Sequence, residues 1–146
     1  MERNKAWRKA SGGFTLVELM VVVVIASVLA AIAVPSYRDY VKRGKIPEAT
    51  AGLATRRVQM EQFFQDNKTY AGAPHCAAVD TTSSKNFTFD CETVPTSTTF
   101  KLRANGVGAM AGFIYTVDQS NTKATTAPSG WASSTSCWVT SKAGPC

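Results

Sequence analysis

From Leu19 to Val34 the chain runs for 16 residues without a charge, LMVVVVIASVLAAIAV. A run this apolar must be covered, either by a protein core or by lipid. A helix that spans a bilayer needs roughly 17 to 25 mostly apolar residues. The uncharged run sits at the short edge of that range. Extending it back to Phe14 reaches 21 residues, but only by including Glu18. No other stretch of the chain is apolar enough to span. Before the run stands a basic leader with Arg3, Lys5, Arg8 and Lys9, closed by Gly12-Gly13. In an ordinary secretory signal the apolar core precedes the cut and leaves with the charges. Here a cut after Gly13 would leave the apolar segment on the mature chain. The leader then reads as a sorting handle and the apolar helix as the working part.

Basic residues do not orient the segment. Arg38, Lys42, Arg43 and Lys45 follow it and match the four in the leader, so the positive-inside rule is undecided. The cysteines are more informative. Cys76, Cys91, Cys137 and Cys146 all lie in the C-terminal half. An even set in a small, loop-rich region points to disulfides and an oxidising compartment. That places the head outside the cytoplasm. Four cysteines leave more than one connectivity open.

From Phe14 to about Asn67 the pattern predicts one long, interrupted helix, roughly 80 Å at about 1.5 Å per residue. A head of some 75 residues (71–146) is too small to cover it. The first half must be covered by lipid first and by neighbouring subunits later. Pro35 and Pro47 lack an N–H and are expected to kink the helix or part it into an anchor and a soluble helix. In the second half Ile46, Ala49, Leu53, Met60 and Phe64 recur at helical spacing and form one apolar stripe. Arg57 falls on that stripe, four residues from Glu61, which can pair with it.

The rest reads as β. Phe87, Phe89 and Cys91 alternate, as do Phe100, Leu102 and Ala104, and Phe113, Tyr115 and Val117. Period-2 runs separated by turn residues predict an antiparallel sheet with one buried face, which the helix covers. Gly106–Gly112 reads as a hairpin loop, SNTKATTAPSG as a polar loop, and CWVTS around Trp138 as a short last strand.

The order GG-FTLVE, apolar run, Pro35 resembles the prepilin signature of type IV pilins, a family that also includes the pseudopilins of type II secretion. The segments IPEATAGLATRRVQMEQFFQDNKTYAG and GWASSTSCWVTSKAGPC are similar to minor pilins of the PilE type, related to the DNA-uptake pilin ComP. The resemblance implies an α+β pilin fold, a long N-terminal helix on a small antiparallel sheet. Its parts would be a leader (1–13), a transmembrane or filament-core half-helix (14–34), an amphipathic half-helix (35–70) and a disulfide-linked head (71–146). It implies that a prepilin peptidase cuts after Gly13, where a side chain would obstruct a threaded backbone, and that Phe14 is then N-methylated. It implies that Glu18 neutralises the N-terminal amine of a neighbouring subunit. A charge in hydrocarbon usually has a partner, and four residues of helix also allow an intrachain pair. The favoured pairings are Cys76 with Cys91 and Cys137 with Cys146. Each closes a short loop, and the second resembles the C-terminal disulfide loop of pilins.

The implied partners are other pilins in a helical filament, the peptidase, the inner-membrane assembly machinery, and lipid before assembly. The implied place is the inner membrane of a Gram-negative bacterium, head in the periplasm, and then the extracellular pilus. Within the family the chain reads first as a low-abundance minor pilin serving assembly, and hence twitching, adhesion or uptake. The major pilin is the alternative, then a ComP-like DNA receptor, then a pseudopilin. For DNA the charge gives little support. The whole chain is +6, but after Gly13 there are 12 basic against 9 acidic residues. The head from Ala71 holds Lys85, Lys101, Arg103, Lys123 and Lys142 against four acids, a weak footprint for a phosphate-binding surface. Nothing points to an enzyme. His75 is the one histidine, and no phosphate-cradling glycine loop is present. No cofactor or metal is expected: no Cys-x-x-Cys pair occurs, and Asp80, Asp90 and Asp118 are scattered.

Overall fold

The computed structural model describes Gly13–Gly144 and Cys146. The leader, apart from Gly13, lies outside the described residues. The chain divides into two units, one ending at Tyr37 and the other comprising Arg38–Cys146. Helix α1, Leu16–Asn67, contributes to both and contains Pro35 and Pro47.

In the first unit the helix begins on a side-chain cap. Thr15 Oγ1 accepts from the Glu18 amide at 3.1 Å, and the Leu19 amide donates to the Thr15 carbonyl. Thr15-x-x-Glu18 is the spacing of a capping box, and an acid in the first turn suits the positive end of the helix. The apolar side chains from Val17 to Val34 are exposed, Ile25 at 55 % and Leu29 at 63 %. Ser27 within the segment and Ser36 just after it have their hydroxyls satisfied internally. Ser27 donates to the Val23 carbonyl at 2.7 Å and Ser36 to the Ile32 carbonyl at 3.2 Å. Such back-bonding removes the polar groups that hydrocarbon would penalise. Among the described residues this is the helix long and apolar enough to cross a membrane.

The second unit is an α+β layer. Strands β1 (Phe87–Thr93), β2 (Lys101–Gly106), β3 (Ile114–Asp118) and β4 (Lys123–Thr126) form an antiparallel sheet in sequence order. The register aligns Phe89, Ala104, Tyr115 and Thr125 across one face, with Cys91, Leu102 and Val117 in the next row. Those side chains meet the stripe Ile46, Ala49, Leu53 and Met60 in one core. Phe64, Tyr70 and Phe100 close its lower edge as an aromatic run, with centroids 4.6 and 4.7 Å apart. The helix ends where Lys68 adopts a left-handed φ of 57°, its amide bonded back to Phe64. A short 3-10 turn, Pro74–Cys76, is bonded to β1 through Cys76–Cys91. Cys137–Cys146 closes the C-terminal loop, with Cα atoms 5.7 Å apart.

Two expectations are corrected. The fourth strand is Lys123–Thr126, inside the stretch read as a polar loop, and CWVTS forms no strand. The reason is chemical. The buried-face position opposite Tyr115 is filled by Thr125, which is polar yet only 3 % exposed. Its hydroxyl donates to the Cys137 carbonyl and accepts from the Val139 amide. The CWVTS segment is therefore held over the sheet by side chains. The Trp138 indole donates to Thr116 O and the Tyr115 hydroxyl to Val139 O, at 2.8 and 3.1 Å. Burial pushes the Tyr115 hydroxyl up to about 12.

One stack joins helix, sheet and the loop before β1. A methyl at Gly52 would overlap the Phe89 ring. The Arg56 guanidinium lies 3.8 Å over that ring and pairs with Asp80. Asp80 also accepts from the Ser83 hydroxyl and from the Thr82 and Ser83 amides. Those bonds, Ser83 foremost, hold its carboxyl well below the usual carboxylate range. Overpacking typically costs about 1–3 kcal/mol, while replacing a helical glycine by alanine returns about 0.8–1 kcal/mol. Gly52→Ala should therefore lower stability by up to about 2 kcal/mol in urea titration. In a Phe89→Leu background the same change should be neutral or stabilising.

The Asp80 shift also has a sign. A carboxylate depressed in the folded state adds stability that is complete above its unfolded value, near about 3.9, and fades as pH falls. Urea midpoints of Asp80→Asn should drop relative to wild type at pH 6. The gap should narrow steadily below about pH 4. A constant gap across that range would contradict the assignment.

Candidate functional site

The N-terminal region gathers the residues singled out by the sequence. Gly13 and Phe14 precede the helix, which starts at Leu16, so the peptide bond between them is not wound into helical hydrogen bonds. Space around Gly13 is open, with no atom within 4 Å of where a Cβ would stand. Phe14 is 84 % exposed. A peptidase needs such an accessible backbone, free of the helix. A new amine at Phe14 would sit against the positive end of α1, where a cation is disfavoured. Glu18, in the first turn, is the acid nearest to it in sequence. Sequence reasoning found Gly13, Phe14 and Glu18 but passed over Thr15. The T-x-x-E spacing was the available signal. Glu18 thus serves in the helix start, its amide taken by Thr15.

The head's charges are largely engaged. Arg103 grips Asp90 with two bonds, 2.9 and 2.7 Å, and Lys101 pairs with Glu92 at 2.6 Å, both across β1 and β2. Asp90 in turn holds Arg103 above its ordinary value. Lys142 binds Asp39 at 2.8 Å and lowers that carboxyl below its usual range. Lys123 lies 4.7 Å from the Trp138 ring centre. Cross-strand pairing therefore consumes Lys101 and Arg103, the two strand cations considered for nucleic acid.

A cleft of about 840 Å³ opens between the helix and the loop before β1, lined by Glu48, Gly52, Arg56, His75, Asp80 and Lys85 among others. Its acids are already partnered. Glu48 accepts from Ser84 and Asn86 at 2.6 and 2.7 Å, and Asp80 is engaged as above. His75 lines this cleft at the short turn. The arrangement supplies recognition surface and no nucleophile with a base to activate it. Among the described residues no group of three His, Cys, Asp or Glu stands together as a metal site would need. The cysteines pair as Cys76–Cys91 and Cys137–Cys146.

Comparison with known proteins sets this geometry in a family. Residues 35–113 match the family model described as type IV minor pilin ComP, DNA uptake sequence receptor. Residues 8–34 match the prokaryotic N-terminal methylation motif. A fimbrial protein of Pseudomonas aeruginosa is 42 % identical over 60 residues, covering 41 % of this chain and 39 % of that protein. A fimbrial protein of Neisseria meningitidis is 35 % identical over 71 residues, covering 49 % and 42 %. The type IV major fimbrial protein FimA of Dichelobacter nodosus is 39 % identical over 71 residues, covering 48 % and 44 %. The matched stretch spans about two-fifths of the length of these curated relatives (39–44 %). No solved structure matches. The family and its relatives are structural pilins and not enzymes. The helix and four-stranded antiparallel sheet are the α+β type IV pilin fold, and the chain belongs to the type IV pilin family.

Proposed function

We propose that this chain is a low-abundance minor subunit of a type IV pilus, acting in filament assembly. The observation that carries the reading is the uncovered apolar helix from Val17 to Val34 joined to a head whose own core is closed. Such a helix needs lipid or other copies. Exchanging one for the other exposes little apolar surface to water. The match to a minor-pilin model supports the minor role.

In this reading a prepilin peptidase cuts after Gly13 and Phe14 is N-methylated. The segment 14–34 holds the protein in the inner membrane with the head outside the cytoplasm. The assembly machinery then draws it into the fibre, from which it serves twitching, adhesion or uptake. Two other readings have an observation each. The major-pilin reading draws on relatives named as major pilins. The DNA-receptor reading draws on the description of the matched family, while the engaged charges of the head weigh against it. Mass spectrometry of sheared pili separates the first two. A trace amount beginning at methylated Phe14 supports the minor pilin, and dominance supports the major one. Salt-dependent shifts of duplex DNA by the mature chain test the third.

Gly13→Leu should leave the precursor uncut, read as an unshifted band on immunoblots. A product of normal mature size would refute the cut-site assignment. Glu18→Ala should still be cut but enter sheared filaments about tenfold less or worse, since an unpaired charge in hydrocarbon costs about 2.5–3.5 kcal/mol. Wild-type incorporation of that variant would remove the pairing role.

A further inference from the structure

The four cations that follow the apolar segment carry an inference that rests on the membrane-held state proposed above. Arg38, Lys42, Arg43 and Lys45 fall within eight residues, and Lys45 is eleven residues past Val34. At about 1.5 Å per residue, eleven helical residues advance roughly 17 Å. The polar zone of each leaflet is roughly 5–8 Å deep. On the same count Arg38, Lys42 and Arg43 stand roughly 6–14 Å past Val34 and come to it through the reach of their side chains, while Lys45 stays within a Debye length of about 8–10 Å of it. Among the described residues, none of the four has a carboxylate within 4.0 Å, while five other cations do. Asp39, the one acid among them, is taken by Lys142. Arg38 and Arg43 are exposed, and Lys42 and Lys45 are half-buried. Tyr40, between them, is 72 % exposed, an amphipathic ring of the kind that settles at headgroup level.

Spacing sharpens the point. Arg38, Lys42 and Lys45 stand at i, i+4 and i+7 and share one helix face. That face continues into Ala49, Leu53 and Met60, the stripe buried under the sheet. The stripe changes from apolar to basic at the end of the unit nearest the apolar segment in sequence. Lys42 Nζ lies 5.9 Å from the Phe113 ring centre, so its stem packs while its charge stays at the edge. With the head outside the cytoplasm, these cations also lie on the side that the positive-inside rule disfavours. An anionic partner on that side would offset the cost.

We propose that Arg38, Lys42, Arg43 and Lys45 form a docking girdle for anionic phospholipid headgroups, holding the subunit at the membrane surface until it is extracted. The partner is a phosphodiester borne by lipid. Entry into the fibre exchanges those contacts for other subunits.

The test uses the full chain with the leader cations Arg3, Lys5, Arg8 and Lys9 changed to Gln, so that only the girdle differs. It is reconstituted into phosphatidylcholine vesicles carrying spin-labelled phosphatidylglycerol or spin-labelled phosphatidylcholine. Electron spin resonance reads the ratio of the two lipids held at the protein. The expected preference for phosphatidylglycerol is about fivefold or more at low salt, the factor roughly one cation near an anionic surface supplies. It should shrink as salt rises. The variant Arg38→Gln/Lys42→Gln/Arg43→Gln/Lys45→Gln should bring the ratio close to one. Lys85→Gln, in the head, should leave it unchanged, and Lys42→Arg/Lys45→Arg should retain it with an unaltered urea midpoint. A ratio near one in the parent, or a preference that survives the fourfold change, overturns the proposal. So does loss of duplex DNA binding in that variant while the lipid ratio stays fixed, which would assign the girdle to nucleic acid. If the parent fails to stay with vesicles of either lipid, the membrane-held state itself fails and the girdle falls with it. That outcome is recognisable because it does not depend on lipid charge.

Discussion

Everything in this chain follows from an apolar helical segment whose large side chains lie open from Val17 to Val34. Between Val17 and Val34 the large side chains are about half to three-quarters exposed, whereas Ile46, Ala49, Leu53 and Met60 are fully buried. At about 25 cal/mol per Å² of apolar surface, such a segment cannot rest in water without a strong drive to associate. Lipid and like helices are the two covers that leave its backbone bonds intact, because a helix satisfies them internally. Ser27 and Ser36 obey the same constraint by folding their hydroxyls onto the preceding turn. A filament subunit must accept both covers in turn, and a uniform apolar surface does so without a specific lock to break.

The head answers a different constraint, the small size of its core. A sheet of four short strands buries one face, and the stripe on α1 supplies the opposing wall. Two disulfides add cross-links, Cys76–Cys91 beside the cleft and Cys137–Cys146 at the C-terminal loop. Small domains with limited apolar burial commonly depend on such bonds. The Gly52–Phe89–Arg56–Asp80 stack shows how tightly helix and sheet approach. The ring's tip fits where a helix residue has no side chain, and a guanidinium lies over the ring.

Elements with simple periodicity were legible in the sequence. The stripe at Ile46, Ala49, Leu53 and Met60 and the alternations of β1, β2 and β3 are visible because apolar residues alone face the core there. The fourth strand was illegible because Thr125 occupies an apolar position and is satisfied by backbone groups of Cys137 and Val139, distant in sequence. CWVTS misled for the complementary reason. Val139 is buried and Trp138 half-buried like strand residues, but they are held by donors from Tyr115 and to Thr116. At the N-terminus motif order singles out Gly13, Phe14 and Glu18 only for the roles proposed above, whereas the Thr15 cap needed the helix boundary. The partners of Lys101 and Arg103 were hidden as well, since register decides which acid stands opposite.

Charge is then distributed by location. In the head it is spent on pairs that fix the fold: Arg103 with Asp90, Lys101 with Glu92, Arg56 with Asp80. Next to the apolar segment it is left open, except where Lys142 takes Asp39. Paired surface charges largely cancel one another, while an unpaired cluster keeps a net field out to about a Debye length, roughly 8–10 Å. Among the described residues, the densest group of cations without a carboxylate within 4.0 Å therefore lies on a few turns of helix and not on the sheet. A single stripe on α1 changes its chemistry twice along its length. It is bare hydrocarbon up to Val34, basic from Arg38 to Lys45, and apolar under the sheet from Ile46 onward. In the membrane-held state proposed above, lipid tails, headgroups and a folded domain would meet these three chemistries in the same sequence order.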